Sequence, residues 1–262
     1  MRTPTTTFTA VVGLGSLMAL FAGCNTDLNN SSGSTTDQSA TGIWSGSDSV
    51  SGLGVTAIIN SGGDAAFIRS DGVLFTGTVQ VSGSALAVTV DGYTVFGGAA
   101  FSDGSTSGLG TLNGTVTSAS TITASLTFTT ADSTAITGSW SLTYELVANN
   151  ASSPAAAAGN YTDTVTGAVL SINSNGVMTS QSANNGCVLN GTLSTSDTAH
   201  DVYEVAYTFE NCTGNYTVLS GVQFTGLAYL NASSPAQLTL AVTGTSTTTT
   251  TKYAVVSTLN GS

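Results

Sequence analysis

Beyond residue 41 the chain places large apolar side chains at every second position of short runs, and it interrupts those runs with glycine, asparagine and serine. Trp140-Ser141-Leu142-Thr143-Tyr144-Glu145-Leu146 alternates in this way, and so does Ile122-Thr123-Ala124-Ser125-Leu126-Thr127-Phe128. Val73-Leu74-Phe75-Thr76-Gly77-Thr78-Val79 alternates on its odd positions. Tyr203, Val205, Tyr207 and Phe209 share one face of a further run, as do Leu238, Leu240 and Val242. A period of two is the mark of a strand with one face buried. The Asp-Gly, Asn-Gly and Ser-Gly pairs between runs are hairpin signals. No segment past residue 41 carries the 3.6-residue period of an amphipathic helix. Antiparallel sheet is expected throughout.

The charge pattern restricts how such a sheet can end. Charged residues make up 6% of the chain, against about 25% in ordinary soluble proteins. Arg2, Arg69 and Lys252 are the only arginine and lysine residues. Open sheets commonly protect their edges with lysine, proline or bulges, and a threonine-rich edge without them invites aggregation. Closing the sheet on itself removes the edge. The expected fold class is therefore all-β: two tandem small antiparallel β-barrels of lipocalin-like meander, each of about eight strands, or compact sandwiches. The start Gly42-Ile43-Trp44 resembles the opening strand of lipocalin-like barrels, which adds to the barrel reading.

The number of units comes from an internal repeat. Gly42-Ile43-Trp44-Ser45-Gly46 opens one half and Gly159-Asn160-Tyr161-Thr162-Asp163 opens the other. Ile59-Asn60-Ser61-Gly62-Gly63 then matches Ile172-Asn173-Ser174-Asn175-Gly176, and Asp71-Gly72-Val73 matches Asn185-Gly186-Cys187, in the same order and at nearly constant offset. This predicts a β-domain over residues 41–148 and a second over 159–262, joined by an alanine- and serine-rich linker at 149–158. Residues 24–40 contain one large apolar residue, Leu28, and read as a flexible tether.

The first 23 residues have the layout of a secretory signal: Arg2 near the start, an apolar stretch from Ala10 to Ala22, then Gly23-Cys24. The run Leu20-Phe21-Ala22-Gly23-Cys24 resembles a lipobox, the processing signal of bacterial lipoproteins, with Phe21 where leucine is usual. The segment from Gly186-Cys187-Val188-Leu189 through Val202–Cys212 to Phe224-Thr225-Gly226 also resembles one that recurs in bacterial lipoproteins of unassigned activity. The resemblance implies cleavage before Cys24, lipidation of its thiol, and a chain held at the cell envelope by its N-terminal lipid. Asn25, where aspartate would resemble an inner-membrane retention signal, implies the outer membrane, with the periplasmic or the surface side open. With Cys24 lipidated, Cys187 and Cys212 remain in an oxidising compartment, where they are expected to form a disulfide. It would staple the open end of the hairpin that turns near Ser194–Asp201.

Groups for catalysis are few. His200, the one histidine, lies in a hairpin turn, and Glu204 and Glu210 lie on the face opposite the aromatic run. Asp71, Asp91 and Asp103 sit beside turn glycines in no calcium-loop spacing. The glycines at 104, 108 and 110 are followed by no lysine in P-loop fashion. No metal, cofactor or nucleic acid is expected, the last because a basic footprint is missing. If a barrel is wide enough to hold an apolar ligand, Trp44, Phe75, Tyr93, Trp140, Tyr144, Tyr203, Tyr207 and Phe209 are its candidate lining; otherwise they fill the core. Three functions are consistent with these residues: a non-enzymatic structural or interaction module contacting an envelope protein, a lipocalin-like carrier of a small hydrophobic ligand, and, least supported, an envelope hydrolase.

Overall fold

The computed structural model describes residues 36–117, 120–164, 166–196 and 198–262. The signal segment, Cys24 and the tether up to residue 35 lie outside the described residues.

Among the described residues, sixteen strands make two closed barrels. In the first, β1 (Gly42–Asp48), β2 (Gly54–Ile59), β3 (Asp64–Arg69), β4 (Val73–Ser82), β5 (Ala85–Thr94), β6 (Ser107–Thr117), β7 (Thr121–Thr130) and β8 (Ala135–Tyr144) pair antiparallel in chain order. β8 returns to β1, with Trp44 opposite Tyr144. The second barrel repeats this with β9 (Gly159–Asp163), β10 (Val169–Ile172), β11 (Val177–Gln181), β12 (Val188–Thr195), β13 (Val202–Glu210), β14 (Gln223–Asn231), β15 (Gln237–Thr245) and β16 (Lys252–Gly261). β16 closes on β9, with Asn260 opposite Thr162. Of the two expected architectures, the closed meander is the one formed.

Alternation sorts the side chains as expected. Along β7, Ile122, Ala124, Leu126 and Phe128 are buried, while Thr123, Ser125, Thr127 and Thr129 between them are exposed. The exposed hydroxyls continue sideways, with Thr111 beside Thr127 and Thr127 beside Thr137. Apolar inside and hydroxyl outside is the reverse of a membrane-spanning barrel, which turns its apolar band to lipid. Among the described residues, no helix is long and apolar enough to cross a membrane.

The repeat holds down to single hydrogen bonds. In the β2–β3 turn, Asn60 Oδ1 accepts the Asp64 N–H at 2.8 Å, and the Gly63 carbonyl accepts the Val79 N–H at 2.7 Å. In the β10–β11 turn, Asn173 Oδ1 accepts the Val177 N–H at 3.0 Å, and the Gly176 carbonyl accepts the Leu193 N–H at 2.7 Å. Gly63 and Gly176 have φ of +88° and +80°. A β-carbon on Gly176 would lie 2.1 Å from the Leu193 carbonyl oxygen, so both conformation and space require glycine there.

Each barrel is plugged at both ends. The indole N–H of Trp44 donates to the Ala40 carbonyl at 2.8 Å, and the hydroxyl of Tyr161, its counterpart, donates to the Ala157 carbonyl at 3.0 Å. Ala40 and Ala157 are buried in the two cores. The last residues of the segment read as tether are thus fixed to the first barrel: the Gln38 N–H donates to the Gly83 carbonyl, and Asp37 accepts the Gly83 N–H. The segment read as linker likewise ends as a plug of the second barrel. At the opposite ends, Phe101 from the β5–β6 loop packs on Phe128, and Leu219 from a 3-10 turn at Gly214–Leu219 enters the second core.

The barrels pack together through a third apolar cluster. Ile43, Ile58, Leu74 and Tyr93 from the first meet Val202, Leu227, Ala241 and Ala254 from the second. The Phe96 N–H donates to the Ala254 carbonyl at 2.8 Å. The Phe96 ring reaches the second barrel, 5.8 Å from Tyr253 and 5.6 Å from Tyr216 between centroids.

Candidate functional site

Side chains pack across the lumens of both barrels. Phe75, Trp140, Phe67 and Phe128 interlock across the first barrel, with the Phe75 ring 5.3 Å from Phe128 and 5.8 Å from Trp140. Of the expected cavity lining, Trp44, Phe75, Trp140, Tyr203 and Tyr207 are buried core. Phe209 is half-buried against Tyr207 and Phe224. Tyr144 is half-buried at the rim, 5.0 Å from Trp44, and its hydroxyl donates to Asn149 Oδ1 at 2.9 Å. These residues fill space rather than enclose it. Tyr93, expected in the same lining, instead points outward and joins the cluster between the barrels. On β5 it is out of phase with the inward Leu86, Val88 and Val90 and shares the outer face with Thr89 and Asp91, at the strand end where Gly92, Tyr93 and Thr94 are all buried.

Cys187 and Cys212 form a disulfide, flanking β12 and β13 at the open end of their hairpin. The remaining titratable candidates are held by local contacts. Asp71 binds Arg69 through two contacts of 2.8 Å. Asp103 accepts hydrogen bonds from the hydroxyls of Thr130 and Ser105, which hold its carboxyl well below the usual carboxylate range. Asp48 is buried in the β1–β2 turn; the upward push of burial is outweighed by hydrogen bonds from the Ser139 and Val50 N–H groups and the Ser51 hydroxyl. His200 lines a cleft of about 440 Å³ with Tyr144, Leu146 and Asn149. Among the described residues, no group of three or more His, Cys, Asp or Glu is placed to hold a metal ion.

A concavity that carries hydroxyls and carboxylates lies outside the lumens, where the two barrels meet. A groove of about 490 Å³ runs between the outer faces of β3 and β4 on one side and β12 to β15 on the other. Its walls carry the hydroxyls of Thr76, Thr78, Thr192, Ser194, Thr225 and Thr243, with Asp64 and Glu204 among them. Asn60 ties the walls together, donating from Nδ2 to Glu204 Oε1 at 3.2 Å across the interface. Thr76, Thr225 and Thr243 also line a second cleft, of about 480 Å³, that contains Asp91, Tyr93, Gln223 and Lys252. Lys252 Nζ donates to the Tyr93 hydroxyl at 3.0 Å, a bond that raises the lysine pKa. Its Nζ is 3.9 Å from Asp91, but both side chains are about half exposed, so that ion pair contributes little. Three carboxylates against one ammonium give the joined groove a negative potential, focused by its walls.

The sequence did not expose this groove, because it is built from residues more than a hundred positions apart, such as Asn60 and Glu204. One signal was present. β2 reads Gly-Val-Thr-Ala-Ile-Ile and β15 reads Gln-Leu-Thr-Leu-Ala-Val, with apolar residues on both faces. Strands buried on both faces read as near-continuous apolar runs, and these strands belong to the barrel walls that touch. Comparison of the chain with protein-family models, with curated proteins and with solved structures gives no match.

Proposed function

We propose that the chain is a lipid-anchored, non-enzymatic interaction module of the bacterial cell envelope, and that it meets its partner in the groove between the barrels. The observation that carries this reading is the contrast between two packed lumens and a wide groove outside them that carries hydroxyls and carboxylates. A carrier would keep its space inside the barrel. The lipobox-like run at Cys24 supports the anchor, and the Cys187–Cys212 disulfide supports an oxidising compartment. Water-facing hydroxyl surfaces on both barrels fit a domain held beside a membrane rather than in it. The groove's carboxylates favour a partner that offers hydroxyl, amide or cationic groups, and disfavour phosphate-rich polymers.

Photo-crosslinking in cells tests this. A photoreactive side chain at Thr192, on the groove wall, is expected to give a discrete adduct with an envelope component. The same side chain at Thr123, on the exposed face of β7, is expected to give none. Glu204→Lys should weaken the Thr192 adduct at least several-fold. Equal adducts from both positions, or none from Thr192, contradict the groove as the contact site.

A further inference from the structure

The mouth of the second barrel holds an acid in an unusual setting. Asp201, at the start of β13, is 3% exposed, and Tyr203 below it is fully buried. The Asp201 carboxyl faces the Tyr203 hydroxyl and the Asn150 side chain, with the Tyr161 hydroxyl also near. Its Oδ1 and the Tyr203 hydroxyl have no hydrogen-bond partner of normal geometry among the described residues. The elements packed here are β9 with Tyr161, β13 with Tyr203 and the neighbouring His200, and the linker with Asn150 and Ser153. Among the described residues, the lysine and the arginine are engaged elsewhere: Arg69 is paired with Asp71 and Lys252 with Tyr93. The linker itself is docked by contacts that meet at this point. The Asp201 N–H donates to the Ala148 carbonyl at 3.0 Å, Ala148 is buried in the cluster between the barrels, and Ala157 plugs the second core.

We infer that the linker is an acid-held latch: neutral Asp201 seats residues 146–157 in the barrel mouth and against the inter-barrel joint, and its ionisation loosens them. The physical reason is the cost of placing a carboxylate among two phenols and an amide with water excluded. Burial pushes the Asp201 carboxyl up to about 6, from 3.8 when exposed. For an acid raised by docking, the stabilisation is fully present below the exposed value and is lost as pH rises through the docked value. The latch is therefore tightest below pH 4 and slackens up to about pH 6, with the ratio of docked to undocked linker falling about 50-fold between pH 4 and 7. The joint between the barrels would stiffen in acid and relax at neutral pH. This holds whatever the groove binds.

Amide hydrogen exchange on the full chain, expressed as protection factors to remove the intrinsic pH effect, tests the latch. The reporting amides are Asp201, bonded to Ala148, and Ala156 and Ala157, bonded to Ser153. In the unaltered protein their protection is expected to fall tens-fold from pH 4 to pH 7, while amides between β6 and β7 keep theirs. Asp201→Asn, which keeps the shape and removes the charge, should give equal protection at both values. Cleavage of the linker by a pH-tolerant protease gives a second reading that needs no variant, and it should speed up at neutral pH. Unchanged protection in the unaltered protein, a pH response that survives in Asp201→Asn, or loss of protection through the whole second barrel would each overturn the latch.

Discussion

Trp140→Ala should lower the stability of the first barrel by about 3–5 kcal/mol, the largest effect expected of any single substitution considered. Trp140 is 1% exposed and packs on Phe67 and Phe75, at centroid distances of 5.5 and 5.8 Å. The Phe75 ring is locked in turn by Phe128, whose edge presses so closely on Gly92 that a β-carbon there would lie 2.4 Å from it. Such a core has little freedom to collapse into the space left by an indole, so both transfer and cavity terms are lost. Chemical denaturation followed by circular dichroism measures the change. Thr123→Ala on the outer face serves as the contrast, with an expected change within about 0.5 kcal/mol. The variant also tests the packed lumen itself. An apolar molecule the size of benzene should bind the cavity of Trp140→Ala and should not bind the unaltered barrel, since dry apolar cavities of that kind take such ligands. Binding to both would restore the carrier reading.

Removal of the disulfide should act on the other barrel. Cys187 and Cys212 are 25 residues apart, and closing a loop of that size contributes about 3 kcal/mol in the chain-entropy description. The bond is the covalent constraint on the β12–β13 hairpin, which otherwise relies on ring contacts such as Tyr207 on Phe224. The double variant Cys187→Ala/Cys212→Ala should therefore lose protection against hydrogen exchange in β12 and β13 while β6 and β7 retain theirs. The first barrel has Val73 at the place of Cys187 and keeps its shape by packing alone. Equal loss of protection in both barrels would mean that the joint between them couples their unfolding more strongly than the disulfide stabilises its hairpin.

The two barrels were readable because each strand buries one face and each turn has its own chemistry. Asn60 with Gly63, and Asn173 with Gly176, mark equivalent turns in sequence and in space. Local patterns of this kind depend on neighbours along the chain, which a sequence displays directly. What depended on long-range placement was less readable. Tyr93 falls out of phase with the inward Leu86, Val88 and Val90 on β5, and only the second barrel accounts for the burial of that outward ring. Asp201 looks like an ordinary turn aspartate, and only the folding of the linker over it makes it a buried acid. Residues 37–40 and 149–158 carry the composition of flexible spacers, and alanine is small enough to serve as a plug without leaving an apolar signature.

Envelope anchoring is tested most directly by the intact mass of the mature chain, purified from the membrane fraction of a Gram-negative host that expresses the full sequence. The expected N-terminal residue is Cys24, carrying a diacylglyceryl group on its thiol, with the chain accumulating as an uncleaved precursor when globomycin blocks the lipoprotein signal peptidase. Cys24→Ser should carry no diacylglyceryl group and should no longer be cut before residue 24. A mature chain that begins elsewhere, an unmodified Cys24, or a Cys24→Ser protein that is still cut before residue 24 would contradict a lipid-anchored module.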